Sequence, residues 1–196
     1  MGIYQFGQGV SRMVLSTSYK VEIIGKENIP EQGATLLCCN HIHNFDPPLL
    51  GAYIKRQLHY MAKQELFEKP ILKGLLPKLG AFPVRRGMSD KQAIRTAMKL
   101  LKEGKMIGLF PEGTRSKDGQ LGKGLSGAGF FALRTDAVVV PCAIIGPYKA
   151  FNTLKLVYGK PIDFSDLREQ KASAEEATEL IMSEIKKLID EHKRSY

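Results

Sequence analysis

The sequence predicts a single α/β domain: a mixed, mostly parallel sheet flanked by helices, preceded by an amphipathic N-terminal helix. Three observations predict it. Short apolar runs at residues 21–24, 34–39, 58–62, 81–84, 106–110, 138–145 and 154–158 alternate with helical patterns, and that alternation is how α/β sheets are built. Several of the runs are apolar at nearly every position, as in strands covered on both faces. The 196 residues are 43% hydrophobic. They suffice for one domain with its own core, and no repeat, low-complexity tract or linker divides them. The expected organisation is a helix in residues 1–20 and the domain in 21–196.

The first 20 residues place Ile3, Phe6, Val10, Met13, Val14 and Thr17 at roughly helical spacing, with Arg12 and Lys20 as the only charges. They lack the basic start and dense apolar block of a secretory signal. Two readings fit: an amphipathic helix on a membrane surface, or a helix packed on the core. No uninterrupted run of 18 apolar residues exists, so no transmembrane helix is expected. In the run at 34–39, the adjacent Cys38 and Cys39 would point to opposite faces of a strand. With Cys142 they make three cysteines, all in apolar runs and matching no metal template. They read as small core residues of a reducing compartment.

Ser89 is expected to open a helix with Gln92 as capping-box partner, a stripe of Ala93, Ile94, Ala97, Met98 and Leu101, and Gly104 as its stop. Ser173, with Glu176, opens the last helix, whose stripe is Ala177, Leu180, Ile181, Ile185, Leu188 and Ile189. Its acids gather early and its lysines late, as the helix dipole favours. Further helices are expected at 46–54 and 124–134. The proline in Val138–Ile145 suggests an edge strand or a bulge. Residues 70–80, PILKGLLPKLG, set Ile71, Leu72, Leu75, Leu76 and Leu79 on a stripe bordered by Lys69, Lys73 and Lys78. That pattern suits insertion into an anionic lipid surface and equally a core-facing helix with solvated lysines.

Two clusters carry chemistry. Asn40-His41-Ile42-His43-Asn44-Phe45-Asp46 follows an apolar strand and precedes a helix, the place where α/β sheets put their sites. His41 and Asp46, five residues apart across a turn, can pair through one ring nitrogen. The other is then free to take a proton from a hydroxyl, and the carboxylate fixes the tautomer. The alternatives are that Asp46 caps the next helix while His41 packs, or that His41 and His43 ligate a metal. The second cluster, Phe110-Pro111-Glu112-Gly113-Thr114-Arg115-Ser116, also follows a strand. Its glycine turn, hydroxyls and guanidinium suit a phosphate, and Glu112 can bond a substrate hydroxyl or anchor the loop. Two adjacent arginines, Arg85 and Arg86, follow the run at 81–84 and could grip a phosphate bidentately.

In order, these segments resemble the four motifs of the glycerolipid acyltransferases, specifically the 1-acyl-glycerol-3-phosphate acyltransferases. The H-x4-D motif matches at His41 and Asp46, and the G-x-x-P-V-x-R-G motif at Gly80, Pro83, Val84, Arg86 and Gly87. The F-P-E-G-T-R-S motif matches throughout Phe110 to Ser116, and V-P-C-A-I matches at Val140 to Ile144. Arg85 fills a place often acidic in the family, and many relatives begin with a transmembrane helix where this sequence has an amphipathic segment. The resemblance implies acyl transfer from an acyl thioester, of coenzyme A or acyl carrier protein, to lysophosphatidic acid. His41 would be the general base, oriented by Asp46. Arg86, Gly113, Thr114 and Arg115 would hold the acceptor's phosphate, and Glu112 would position the acceptor. No metal or redox cofactor is implied, and no acyl-enzyme, since no cysteine lies in a motif loop.

The net charge of +9 sits within residues 55–105, which hold 13 Lys/Arg against 4 Asp/Glu. Such a patch draws anions: an anionic membrane surface, coenzyme A or an acidic carrier protein. Nucleic acid is not expected, because only Tyr60, Phe67 and Phe82 interleave with these charges. The expected location is cytoplasmic, peripheral on the inner face of the membrane.

Overall fold

A computed structural model of the chain describes residues 2–85 and 90–193. Seven strands form one sheet: β1 (Lys20–Ile24), β2 (Thr35–Cys39), β3 (Leu58–Lys63), β4 (Ala81–Val84), β5 (Met106–Leu109), β6 (Val138–Ile145) and β7 (Thr153–Tyr158). Their order across the sheet is β1-β7-β6-β2-β5-β3-β4, with only the β6–β7 pair antiparallel. The mixed, mostly parallel sheet expected from the apolar runs is therefore present, and each run is a strand.

Helices cover both faces. They are α1 (Ile3–Ser18), α2 (Asp46–Ala52), α3 (Pro70–Lys78), α4 (Lys91–Lys102), α5 (Gly127–Arg134), α6 (Ser165–Glu169) and α7 (Ala174–Lys193). The alternation of side chains along β2 sorts the core. Leu37 and Cys39 pack with Leu15 of α1 and Leu49 and Leu50 of α2. Leu36 and Cys38 face the other way, onto Leu101 of α4, Phe131 of α5 and Ile181 and Ile185 of α7. The three cysteines are buried and free, and burial pushes their thiols well above the usual range, which keeps them protonated and non-nucleophilic.

Several local expectations are corrected. Strand β6 is interior rather than at an edge. Pro141 is tolerated there because N–H and C=O of a strand residue point the same way. Its carbonyl accepts from Gly159 N–H at 2.8 Å, so the missing donor faces the chain just past the end of β7. The helix expected from 124 begins at Gly127. Asp90 caps α4 through Gln92 and Ala93 N–H, while Ser89 lies outside the described residues. At the last helix, the Ser173–Glu176 capping box forms as the sequence predicts.

Two polar clasps hold the framework that carries the site. Buried Asn40, at the end of β2, accepts from Ile144 N–H at 2.7 Å and donates to its carbonyl at 3.0 Å. Arg56 donates to the carbonyls of Pro30, Gly33 and Gly104 and to the Thr35 hydroxyl, gathering the loops at the opposite end of β2 and β5. This cation of the basic stretch is thus structural. Replacing Asn40 with Ala strands both Ile144 backbone groups away from water and is expected to destabilise the fold by about 2–4 kcal/mol. Urea unfolding measures it; a loss below about 0.5 kcal/mol, the range of ordinary surface substitutions, would show that the clasp carries nothing.

Candidate active site

Strands β2 and β5 lie side by side in the middle of the sheet and end together. The two chemistry-bearing segments leave from those ends: His41–Asp46 from β2 and Phe110–Ser116 from β5. Their loops are stitched by Ser116 N–H donating to His41 O at 2.8 Å.

Asp46, fully buried, is the first residue of α2. A carboxylate there would ordinarily cap the helix, but the next two residues are Pro47 and Pro48, which offer no N–H. The side chain turns back instead. Its Oδ2 accepts from His41 Nδ1 at 2.7 Å and from the N–H groups of Ile42 and His43, each at 2.6 Å. Its Oδ1 accepts from the Tyr148 hydroxyl at 2.6 Å. Burial, with the Asp46 charge beside it, pushes the Tyr148 phenol far above its ordinary range, so it stays a neutral donor. With Asp46 saturated as an acceptor, Nδ1 of a neutral His41 carries the proton and Nε2 has the lone pair. The imidazole stacks on Phe110 at 4.2 Å between centroids, which fixes its plane. Among the described residues Nε2 has no protein partner.

Glu112 does for the backbone what Asp46 does for the ring. It is buried, and its two oxygens accept from His41 N–H at 2.8 Å and from Gly122 N–H at 2.6 Å. Gly113 makes the turn after it with φ +68°, and a Cβ there would sit 2.5 Å from Leu125 Cδ1. Thr114 and Arg115 are exposed beyond the turn. Arg115 joins His41 and Phe110 in the wall of a cavity of about 590 Å³. Arg86, the remaining residue expected at the site, lies outside the described residues. His43 is not paired with His41: its ring stacks on Tyr148 at 4.2 Å. Among the described residues no three His, Cys, Asp or Glu side chains converge as metal ligands.

From His41 the cavity runs along α2, β3 and β4, walled by Pro47, Ala52, Met61, Leu66, Leu76 and Leu79, with Tyr4, Gly7, Gln8 and Ser11 of α1 on its flank. Its volume is that of a ligand site, within about 300–1,000 Å³. Gly51, in the α2 side of the wall, leaves room for the Tyr60 hydroxyl, which a Cβ there would strike. Tyr148 was not legible as a site residue: it follows the fourth motif and meets Asp46 only because β6 runs beside β2.

An imidazole held by a buried carboxylate at the sheet's C-terminal edge, with Nε2 facing an apolar cavity, is a site that can take a proton from a substrate hydroxyl. The comparisons identify the family. The model of the Acyltransferase family matches residues 20–145. The 1-acyl-sn-glycerol-3-phosphate acyltransferase of Bacillus subtilis is 35% identical over 96% of this chain and 100% of its own length. A chloroplastic enzyme of that name from Arabidopsis thaliana is 31% identical over 69% of this chain but 38% of itself. The crystal structure of the 1-acyl-sn-glycerophosphate acyltransferase from Thermotoga maritima superposes with a TM-score of 0.72 at 25% identity, covering 95% of this chain and 78% of that one. The chain belongs to the Acyltransferase family.

The Tyr148→Phe substitution keeps the ring against His43 and removes one donor from Asp46. Losing a hydrogen bond to a charged group is worth about 1.5 kcal/mol or more. The expected result is a kcat roughly tenfold lower, with KM little changed. An unchanged kcat would remove Tyr148 from the machinery.

Proposed function

We propose that this enzyme transfers a fatty acyl group from an acyl thioester to the free hydroxyl of lysophosphatidic acid, giving phosphatidic acid for phospholipid synthesis. One observation carries the reading: the Asp46-held imidazole opens on an apolar cavity that Arg115 also lines. An acyl chain fits the apolar part, and a phosphate fits the guanidinium. In the step, Nε2 of His41 takes the hydroxyl proton as the oxygen attacks the thioester carbonyl. The C–S bond then breaks, and the imidazolium returns the proton to the departing thiolate. Asp46 stabilises the imidazolium between these events. Arg115, together with Arg86, Gly113 and Thr114, holds the acceptor's phosphate. Glu112 places the acceptor through the loop it anchors. The reading calls for no metal or redox cofactor; coenzyme A or acyl carrier protein is the thioester's carrier.

The lipid substrates call for a membrane surface, and α1 supports one. Its polar side faces the protein. Gln8 donates to the carbonyls of Gly51 and Ile54, and Arg12 to that of Ala52, satisfying the C-terminal end of α2. Its apolar side, Ile3, Phe6, Val10, Met13 and Val14, is exposed, Phe6 to 62%. An inverted helix of this kind suits the interface of a bilayer. Among the described residues no helix is long and apolar enough to cross one. In this reading the protein sits peripherally, on the cytoplasmic face where thioesters are available. The exposed cations of residues 55–105 attract anionic lipid, coenzyme A or a carrier protein. Nucleic acid is no part of this reading, since only Tyr60, Phe67 and Phe82 interleave with these charges in the sequence.

His41→Ala is expected to lower acyl transfer to lysophosphatidic acid by about 10²-fold or more, the low end for losing a general base, at matched circular dichroism. Near-full activity in the folded variant would overturn the assignment of the base. An inactive wild type on this acceptor would overturn the substrate and leave the family. Activity on micellar substrate is also expected to fall as salt screens the basic surface; a rate indifferent to ionic strength would remove the docking role.

A further inference from the structure

Helix α3 is built against the usual rule for a soluble protein. Six of its nine residues are Pro, Ile or Leu, yet none of the nine is buried. Ile71 is 83% exposed, the most of any large hydrophobic residue described, and Leu75, one turn on, is 38% exposed. The core-facing reading of this segment is therefore not what the fold adopts. Leu76 and Leu79 turn inward and wall the acyl cavity, so the helix presents one apolar edge to the cavity and another to the outside. Lys69, Lys73 and Lys78 surround the outer edge and are exposed, and none has an acidic partner among the described residues. Among the described residues nothing covers Ile71 on this edge.

We infer that α3 is a second bilayer contact, which inserts Ile71 and Leu75 among the acyl chains of an anionic membrane while Lys69, Lys73 and Lys78 engage its headgroups. Charge complementarity selects the occupant. Exposed apolar residues bordered by unpaired lysines match a surface that is apolar within and anionic at its boundary; an acidic protein partner would answer the lysines but not the exposed Ile71 and Leu75. The position also selects it. Helices α1 and α3 line the same cavity, and α1 meets the residue just past α3 where Gly7 admits the Leu79 side chain, a Cβ at Gly7 lying 2.7 Å from Leu79 Cδ2. Lipid gripped on both sides of that seam would hold the cavity's flank against the source of its substrates. The inference rests on the lipid-surface reading of α1, and the test separates the two.

The chain has no tryptophan, so a single introduced indole reports without background. Ile71→Trp and Phe6→Trp, each at an exposed position, are mixed with vesicles of phosphatidylglycerol and phosphatidylcholine whose acyl chains carry bromine as quencher. Both emissions are expected to shift to the blue and be quenched. Changing Lys69, Lys73 and Lys78 together to Gln is expected to weaken binding to the anionic vesicles by about 10²-fold, at roughly 1 kcal/mol per lysine, and to leave pure phosphatidylcholine unaffected. If Phe6→Trp is quenched while Ile71→Trp stays in water, the α3 contact is refuted and α1 alone binds. If neither is quenched, both fall. If Ile71→Trp alone is quenched, α3 stands and the reading of α1 falls.

Discussion

The site depends on a buried carboxylate that has more donors than a helix cap would give it. Asp46 begins a helix whose next two residues are prolines, so its oxygens find nothing ahead and collect four donors behind and beside them. Those bonds fold the loop after β2 into one shape, choose the tautomer of His41 and bring Tyr148 across from the chain after β6. Glu112 repeats the device at the backbone of the same histidine, joining the loop after β5 to it. Each of these carboxylates would be costly to bury unsatisfied; bonded as they are, they hold the base rigidly before substrate arrives. Preorganisation of this sort is where a general base gets its efficiency.

The second constraint is the inversion of α1. Its glutamine, arginine and Tyr4 hydroxyl face inward because α2 ends in carbonyls that need donors and the Leu58 N–H needs an acceptor. With the polar groups so employed, the apolar stripe faces out. The same helix walls the cavity that leads from His41, so the feature that satisfies the end of α2 also sets an exposed apolar stripe beside that cavity, the place where the proposed membrane contact would bring lipid.

Much of this was legible in the sequence, for identifiable reasons. Seven strands showed as apolar runs because a sheet covered on both faces admits few polar residues, and Cys38 and Cys39 fell on opposite faces because strand geometry leaves no choice. His41 and Asp46 were legible because their partnership is local. What failed was non-local. Pro141 looked like an edge signal because nothing in its neighbours says that β7 ends beside it. Tyr148 and Arg56 could not be assigned because their partners lie far along the chain and meet them only through the strand order. The segment 70–80 was undecided because one periodicity serves a core helix and a surface helix alike, and only burial separates them.

The central claim is that Asp46 sets the tautomer of His41 and leaves Nε2 as the free base. Nitrogen-15 magnetic resonance of histidine-labelled protein, recorded at a pH where the ring is neutral, reads this directly, with Asp46→Asn used to assign the signal. The account predicts a pyrrole-type shift for Nδ1 and a pyridine-type shift for Nε2. The opposite pattern, with the proton on Nε2, would contradict it, since the nitrogen assigned to accept the substrate's proton would already hold one.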